Sequence, residues 1–224
     1  MSLEEIERGL RDRFGAKYRA REVGIGNARQ AIRRAANAIR AVHRGEFEVA
    51  DRLLVEAREL LDIAGSVLAA HPDVYYAGFL QDAQKEYAEA RATRALVAGE
   101  PPPPPEDLGV GDAPYLNGLA EAIGELRRHV LDLLRAGADD RAARGFQAME
   151  DIHALLANID YPDAITGGLR RSTDVARAVI ERTRSDLTLT GIQRDLADAL
   201  RHAADPGADP DPGADPDPGS HGSR

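Results

Sequence analysis

The chain has 224 residues, of which 30% are charged and only 4% aromatic, and its formal net charge is −9. Because the chain has no Cys, disulfides, thiolate zinc sites and cysteine nucleophiles are excluded. No apolar run approaches the roughly 20 residues of a membrane span, and the N-terminal segment MSLEEIERGL has no signal-peptide character. The sequence therefore predicts a soluble, cytoplasmic protein without a membrane partner.

Helical periodicity runs through most of the chain, and the low aromatic content favours helix over sheet. The first predicted helix ends at about residue 44, and the next three cover about 46–69, 73–97 and 114–135. A fifth helix follows a turn at 136–140 and ends near 159. A basic helix follows Gly167 and Gly168, and a short last helix covers about 190–203. The proline-rich segment 99–112 is predicted to be extended, because proline lacks a backbone donor. The tail, residues 204–224, is rich in Asp, Pro and Gly and is predicted to be disordered.

Positive charge is concentrated in the first predicted helix. Residues 8–44 contain eleven Arg or Lys and only two acidic residues, a net charge of +9 in a chain that is acidic overall. Four arginines lie off the apolar seam of this helix: Arg29, Arg33, Arg34 and Arg40. Arginine presents planar, forked donors that suit phosphate. This face is therefore predicted to bind the backbone of nucleic acid; the alternative is a solvated basic surface.

The third predicted helix contains an acidic face within residues 79–90, FLQDAQKEYAEA. At about 100° per residue, Asp82, Glu86 and Glu89 fall within roughly 60° of one another. Like charges at this spacing repel, so the face predicts a compensating partner, which could be a cation, a basic helix or a metal ion. The alternative is a solvated face that Lys85 partly neutralises.

The fourth predicted helix contains a similar pair, Glu121 and Glu125, nearly opposite its apolar stripe. With Glu86 and Glu89, they give four carboxylates on two helices. Oxygen ligands without Cys or His suit Mg²⁺ or Mn²⁺, and such a metal can activate water beside a phosphodiester. Combined with the basic helix, the pattern indicates hydrolysis of single-stranded nucleic acid.

A different metal chemistry is suggested by Glu150 and His153, which have the E-x-x-H spacing of carboxylate-bridged di-iron bundles. Such bundles need two of these motifs, and the sequence contains no second one. A carboxylate-bridged metal enzyme is therefore the less favoured alternative.

Three segments resemble the translin family. Residues 78–90, GFLQDAQKEYAEA, are similar to the helix that reads Q-E-Y-x-E-A in the translin-associated factor X branch. Residues 114–140, PYLNGLAEAIGELRRHVLDLLRAGADD, resemble the family segment D-Y-L-x-G-x-x-D-L-x-G-E-L with the helix and turn that follow it. Residues 161–188, YPDAITGGLRRSTDVARAVIERTRSDLT, resemble the archaeal-type members. The similarity covers about residues 5–200.

The resemblance implies an all-α fold, a single-domain antiparallel bundle of about six to seven helices over residues 1–203. It also implies a closed homo-oligomer, typically an octamer, that binds single-stranded RNA or DNA. Members that resemble translin-associated factor X are Mg²⁺-dependent endoribonucleases, so this activity is expected here. The alternative is a non-catalytic nucleic-acid-binding scaffold in which the glutamates pair with arginines of a neighbouring helix.

The resemblance also assigns the site residues. It implies that Glu86, Glu89 and Glu121 are catalytic and, together with Glu125, bind Mg²⁺. At the acidic residues and their neighbour the sequence departs from the family pattern twice, since Glu121 stands where the family has Asp and Lys85 where it has Gln. Glutamate is one methylene longer than aspartate, so the metal geometry could shift or fail.

Overall fold

Helices make up nearly all of the computed structural model, which describes residues 2–204. The long helices are α1 (Leu3–His43), α2 (Phe47–Leu68), α4 (Phe79–Ala98), α6 (Asp112–Arg135), α7 (Asp139–Ala157) and α9 (Leu169–Ala204), and the four-residue helices are α3 (Pro72–Tyr75), α5 (Pro105–Leu108) and α8 (Asp163–Thr166). The predicted all-α fold is confirmed.

Helices α1 and α2 form an antiparallel pair built largely on alanine. The start of α1 is fixed by a capping box, in which Ser2 and Glu5 exchange side-chain to backbone hydrogen bonds. The turn into α2 contains Gly45 at φ +75°, a conformation that favours glycine. Small buried side chains, including Ala31 and Ala50, allow the two backbones to approach closely.

Helix α4 occupies the centre of the bundle, because it packs against α1, α2 and α6. Its buried residues therefore surround the helix instead of forming one stripe; they are Leu80, Ala83, Gln84, Tyr87, Ala88, Glu89, Ala90, Ala92, Thr93, Ala95 and Val97. Of the predicted acidic face, Glu89 is therefore buried and Glu86 half-buried, whereas Asp82 remains exposed. This position makes the acidic face of α4 chemically significant.

The structure corrects three helix boundaries. The single helix predicted over 73–97 is divided by Gly78, which has φ +105°. The proline-rich segment predicted to be extended contains α5, which is possible because Pro105 lies in the first turn, where no backbone donor is required. The separate short helix predicted over 190–203 is wrong, because α9 continues without a break to Ala204.

The apolar seam of α2 differs in part from the one that the sequence predicts. The sequence periodicity places Leu53, Ala57, Leu60, Ala64 and Val67 in the core; the structure buries Ala57 and Ala64, but in place of the other three it buries Leu54, Leu61 and Leu68. Both rows are apolar, so the sequence pattern is consistent with either, and the position of the neighbouring helices selects one.

The described chain divides into two compact units after Arg184. The first contains every residue of the candidate sites discussed below. The predicted disordered tail falls on residues 204–224, of which 205–224 lie outside the described residues. No helix within residues 2–204 is long and apolar enough to cross a membrane.

Candidate metal centre and nucleic-acid surface

Three of the four predicted carboxylates converge between α4 and α6. One oxygen each from Glu86, Glu89 and Glu121 lies within 4.8 Å of the others. Exposure decreases from Glu121, which is open to solvent, through Glu86 to Glu89, which is only 9% exposed. We call these three residues the acidic cluster. Its oxygens are close enough together to share one cation.

The convergence depends on Gly118, one turn before Glu121 on α6. A Cβ atom at this position would lie 2.6 Å from the carbonyl oxygen of Lys85 and 2.9 Å from the backbone nitrogen of Glu89. Both contacts are with α4 backbone, which cannot yield as a flexible side chain does. Glycine therefore lets the two helices touch at the point where the carboxylates meet.

Lys85 lies at the edge of the acidic cluster. Its Nζ atom is 2.7 Å from Oε1 of Glu121 and 3.6 Å from Oε1 of Glu86. Burial lowers the pKa of Lys85, but the hydrogen bond to Glu121 and the nearby carboxylates outweigh it and the pKa is raised. The lysine therefore remains charged and neutralises part of the cluster.

Glu89 is the least compensated of the three carboxylates. Burial, and then the charges of Glu86, Glu121 and Glu125, raise its pKa to about 8, while Lys85 acts in the opposite direction. The pKa of Glu86 is raised as well, mainly by burial. Without a further cation Glu89 is therefore mostly protonated at neutral pH.

Glu125 lies beside the acidic cluster but has a partner of its own on α1. The Nε2 atom of His43, a side chain only 3% exposed, lies 2.5 Å from Oε2 of Glu125. This hydrogen bond lowers the pKa of Glu125 and keeps it ionised. Glu125 was predicted to be a fourth ligand, and the structure shows it bonded to a histidine that sequence reasoning did not select.

The predicted arginine surface on α1 is divided by its local partners. Arg34 forms an ion pair of 2.6 Å with Glu56, and Arg40 donates a hydrogen bond to Asn37. Arg29 and Arg33 are exposed and have no ion-pair partner within residues 2–204. These two are the members of the set best placed to contact an external anion.

The di-iron alternative finds no geometric support. Glu150 forms an ion pair of 2.6 Å with Arg184, and Nε2 of His153 is buried without a hydrogen-bond partner. Within residues 2–204, the acidic cluster is the only group of three or more His, Asp or Glu side chains close enough to share a metal ion.

The fold is shared with solved structures of C3PO proteins. AfC3PO is 35% identical in sequence to this chain. The alignment covers 99% of the AfC3PO chain in its crystal structure, with a TM-score of 0.76. It covers 98% of the AfC3PO chain in a complex with duplex RNA, with a TM-score of 0.74. In both comparisons, 87% of this chain is matched. The chain belongs to the translin family.

Two further comparisons give lower identities. An uncharacterized protein of Methanocaldococcus jannaschii is 30% identical over 174 residues, which are 76% of each chain. The NeC3PO chain in its apo structure is 20% identical in sequence to this chain. The structural alignment covers 85% of this chain and 99% of the NeC3PO chain, and its TM-score of 0.74 shows the same fold. No family model matches the sequence.

The translin motifs account for the acidic cluster. The segment KEYAEA (85–90) brings Glu86 and Glu89 onto α4, and the segment beginning YLNG (115–118) brings Gly118 and Glu121 onto α6. Both departures from the family pattern, Lys85 and Glu121, are in contact with each other. They form one ion pair at the edge of the cluster.

Proposed function

We propose that this translin-family protein binds single-stranded RNA or DNA and cleaves RNA with Mg²⁺, or Mn²⁺, held by Glu86, Glu89 and Glu121. The observation that supports cleavage is the convergence of these three carboxylates within 4.8 Å. Nucleic-acid binding is supported by the likeness to AfC3PO, which has been solved in a duplex RNA complex.

The donor set fits a hard divalent cation. It consists of carboxylate oxygens, which Mg²⁺ prefers, and the pKa of Glu89 is raised by burial and then by neighbouring carboxylates that Lys85 only partly offsets. When bound, Mg²⁺ would stabilise the charge that develops on a phosphodiester and favour ionisation of water.

The remaining residues have separate roles in the proposed reaction. Glu86 and Glu89 are fixed on the central helix, and Glu121 joins them across the close contact at Gly118. Glu125 is kept ionised by His43 and can accept a hydrogen bond from the attacking water and so orient it, or can serve as a further ligand. Lys85, whose Nζ atom is 2.7 Å from Glu121, is the cationic side chain at the edge of the cluster and can donate a hydrogen bond to a phosphate oxygen once it releases Glu121.

Cleavage is tested with end-labelled single-stranded RNA incubated with Mg²⁺, with Mn²⁺ and with EDTA. The proposal expects fragments with either metal and none with EDTA. The absence of fragments under all three conditions would contradict the nuclease proposal while leaving nucleic-acid binding to be measured independently.

A second function is favoured by Lys85. Since its ammonium group already contacts Glu121 and Glu86, the acidic cluster can be stabilised without a metal. The protein would then be a non-catalytic translin-like scaffold that binds nucleic acid. The sequence predicted such a scaffold with the glutamates paired to arginines of a neighbouring helix. In the structure, the positive charge that pairs with them belongs to Lys85 of α4.

Neutralising Arg29 and Arg33 together should weaken single-strand binding and reduce its dependence on salt. Each lost phosphate contact removes roughly 0.7 from the slope of log K against log salt concentration, so the double variant Arg29→Gln/Arg33→Gln should lose about 1.4. The matched control is Arg34→Gln, since Arg34 is already paired with Glu56. An unchanged slope in the double variant would place the binding surface elsewhere, whereas a loss of about 0.7 in the control would show that Arg34 also contacts phosphate.

We further propose that the protein forms a closed homo-oligomer, for which an octamer is the expected size. The N-terminal part of α1 has large apolar side chains at helical spacing that residues 2–204 leave exposed; they are Leu3, Ile6, Leu10, Phe14 and Tyr18. Light scattering should report a mass several times the 24.1 kDa of one chain. A monomer at micromolar concentration would contradict this assembly.

A further inference from the structure

Two cavities meet beside the acidic cluster. The larger has a volume of about 1000 Å³ and is bordered by Tyr76 and Glu121. The smaller has a volume of about 410 Å³ and is bordered by Glu89 and Arg171. Glu121 and Ser172 border both cavities. The two cavities are therefore adjacent, on either side of Glu121 and Ser172.

The larger cavity has an exposed aromatic surface whose position is fixed. The side chain of Tyr76 is 75% exposed, and its ring meets that of Tyr75 edge to face, with centroids 4.8 Å apart. Gln81 holds the turn between them and α4, since it donates to the carbonyl of Tyr75 at 3.0 Å and accepts from the backbone N–H of Gly78 at 3.2 Å. An aromatic ring held in this way is a stacking platform for a nucleobase, and its fixed position reduces the entropy lost on binding.

The wall between the cavities is also held by hydrogen bonds. Asn117 donates to the carbonyls of Ala113 at 2.9 Å and Thr166 at 2.8 Å, and it accepts from the hydroxyl of Ser172 at 2.7 Å. These bonds connect α6, α8 and α9. The relative position of the two cavities is therefore determined by the fold.

Charge distinguishes the two cavities. Asp82 and Asp112 border the larger one, with Lys85 as its only Lys or Arg lining residue, so it suits an uncharged group better than a phosphate. The smaller cavity contains Arg171, which is exposed and has no ion-pair partner within residues 2–204. The adjacent Arg170, by contrast, lies 3.3 Å from Asp160. An unpaired arginine next to a carboxylate cluster suits a phosphate group that neighbours a bound metal.

We propose that the two cavities form one groove for a single nucleic-acid strand, in which a base stacks on Tyr76 and a backbone phosphate contacts Arg171. The strand then passes the acidic cluster between these two contacts. This inference rests on the proposed function and adds the residues that position the strand. A duplex cannot use the groove in this way, because its bases are already paired and stacked.

The stacking contact is tested by equilibrium binding of a fluorescein-labelled single strand of about ten nucleotides, followed by anisotropy in EDTA. Tyr76→Ala should weaken binding roughly 5- to 100-fold, the range found for loss of one base–aromatic stack. Tyr76→Phe keeps the ring and should bind within about twofold of the wild type. The control is Tyr161→Ala, an exposed tyrosine that borders neither cavity. Wild-type affinity in Tyr76→Ala, or equal weakening in Tyr76→Phe, would overturn the stacking role.

The phosphate contact is tested by the salt dependence of the same binding reaction. Arg171→Ala should reduce the log–log slope by about 0.7, whereas Arg170→Ala removes the same charge one residue away and should leave it unchanged. Equal slopes in the wild type and Arg171→Ala would overturn the phosphate role. A blunt duplex of the same sequence should lose no affinity in Tyr76→Ala, and a loss there would overturn the single-strand groove.

These measurements are independent of the proposed cleavage, because EDTA removes the metal. Loss of binding in Tyr76→Ala and Arg171→Ala, together with absence of cleavage by the wild type, would support the groove and reject the nuclease. Metal-dependent cleavage with unchanged binding in both variants would reject the groove and retain the nuclease. Circular dichroism melting of each variant verifies that these exposed substitutions leave the fold intact.

Discussion

Glu89→Gln should abolish metal-dependent RNA cleavage, with a loss on the order of 100-fold or more. A bound metal contributes several kcal/mol of transition-state stabilisation, and each 1.36 kcal/mol corresponds to tenfold in rate. Glu89 is the most buried of the three proposed ligands, so no water or neighbouring side chain can readily replace its charge. Glutamine preserves its shape and removes only that charge. Initial rates on end-labelled single-stranded RNA at saturating Mg²⁺ provide the measurement.

The control for this variant is Glu59→Gln, the same substitution at an exposed position of α2. It should cleave RNA at the wild-type rate. The mass in solution and the affinity for single strands in EDTA should be the same in Glu89→Gln as in the wild type, since the proposed assembly face lies on α1 and the proposed strand contacts in the groove are those of Tyr76 and Arg171. If Glu89→Gln cleaves as fast as the wild type, the acidic cluster is structural, and the scaffold function is the correct one.

The affinity for Mg²⁺ should increase steeply with pH and level off above pH 8. Burial and the neighbouring carboxylates raise the pKa of Glu89 to about 8 in the absence of metal, and Mg²⁺ must displace the proton to bind. Below this pKa, the apparent affinity therefore increases about tenfold per pH unit, or on the order of 50- to 100-fold between pH 6 and pH 8. Isothermal titration calorimetry at several pH values, in buffers of different ionisation enthalpy, measures both the affinity and the released proton.

Ionisation of the Glu89 carboxyl group also affects the stability of the metal-free protein. Because the folded-state pKa of Glu89 is raised above the ordinary value of 4.5, its contribution to stability is fully present below pH 4.5 and is lost as the pH rises to about 8. Added Mg²⁺ should therefore raise the melting temperature more at pH 8 than at pH 6. In Glu89→Gln, which has no proton to lose, both the proton release and this part of the pH dependence should disappear.

Lys85→Gln tests how much the ammonium group of Lys85, as distinct from the proton on Glu89, weakens Mg²⁺ binding. It removes the ammonium group that contacts Glu121 and Glu86 and introduces the residue of the family pattern. The variant should bind Mg²⁺ more tightly than the wild type at every pH, because a competing cation is gone, and should retain the pH dependence. A wild-type titration that is independent of pH, with no proton released at pH 7, would exclude Glu89 as a ligand.

The sequence by itself determined the helical fold and the composition of the candidate site. The acidic face of α4 and the pair on α6 are local patterns, because residues three and four apart share a face of any helix. The family motifs then related Glu86, Glu89 and Glu121 to a common site, and the structure brings these three together. The resemblance also predicted the translin family correctly.

Only the tertiary structure decided which partners these side chains have. His43 is 82 residues away from Glu125 in the chain, and no helical periodicity relates them. The contact of Lys85 with Glu121 requires α4 and α6 to approach at Gly118, which the sequence shows only as a glycine inside a helical pattern. The pairing of Arg34 with Glu56 likewise removes one predicted phosphate contact.

Some features of the helices follow from the local sequence, and others depend on the neighbouring helices. The break predicted between the helices over about 46–69 and 73–97 falls at Pro72, the first residue of α3, since proline removes a backbone donor whatever surrounds it. The choice between Leu53 and Leu54 as the buried residue of α2 depended on where the neighbouring helices lie. Periodicity is a property of one helix, whereas burial, charge pairing and the raised pKa of Glu89 arise only when several helices exclude water from the same place.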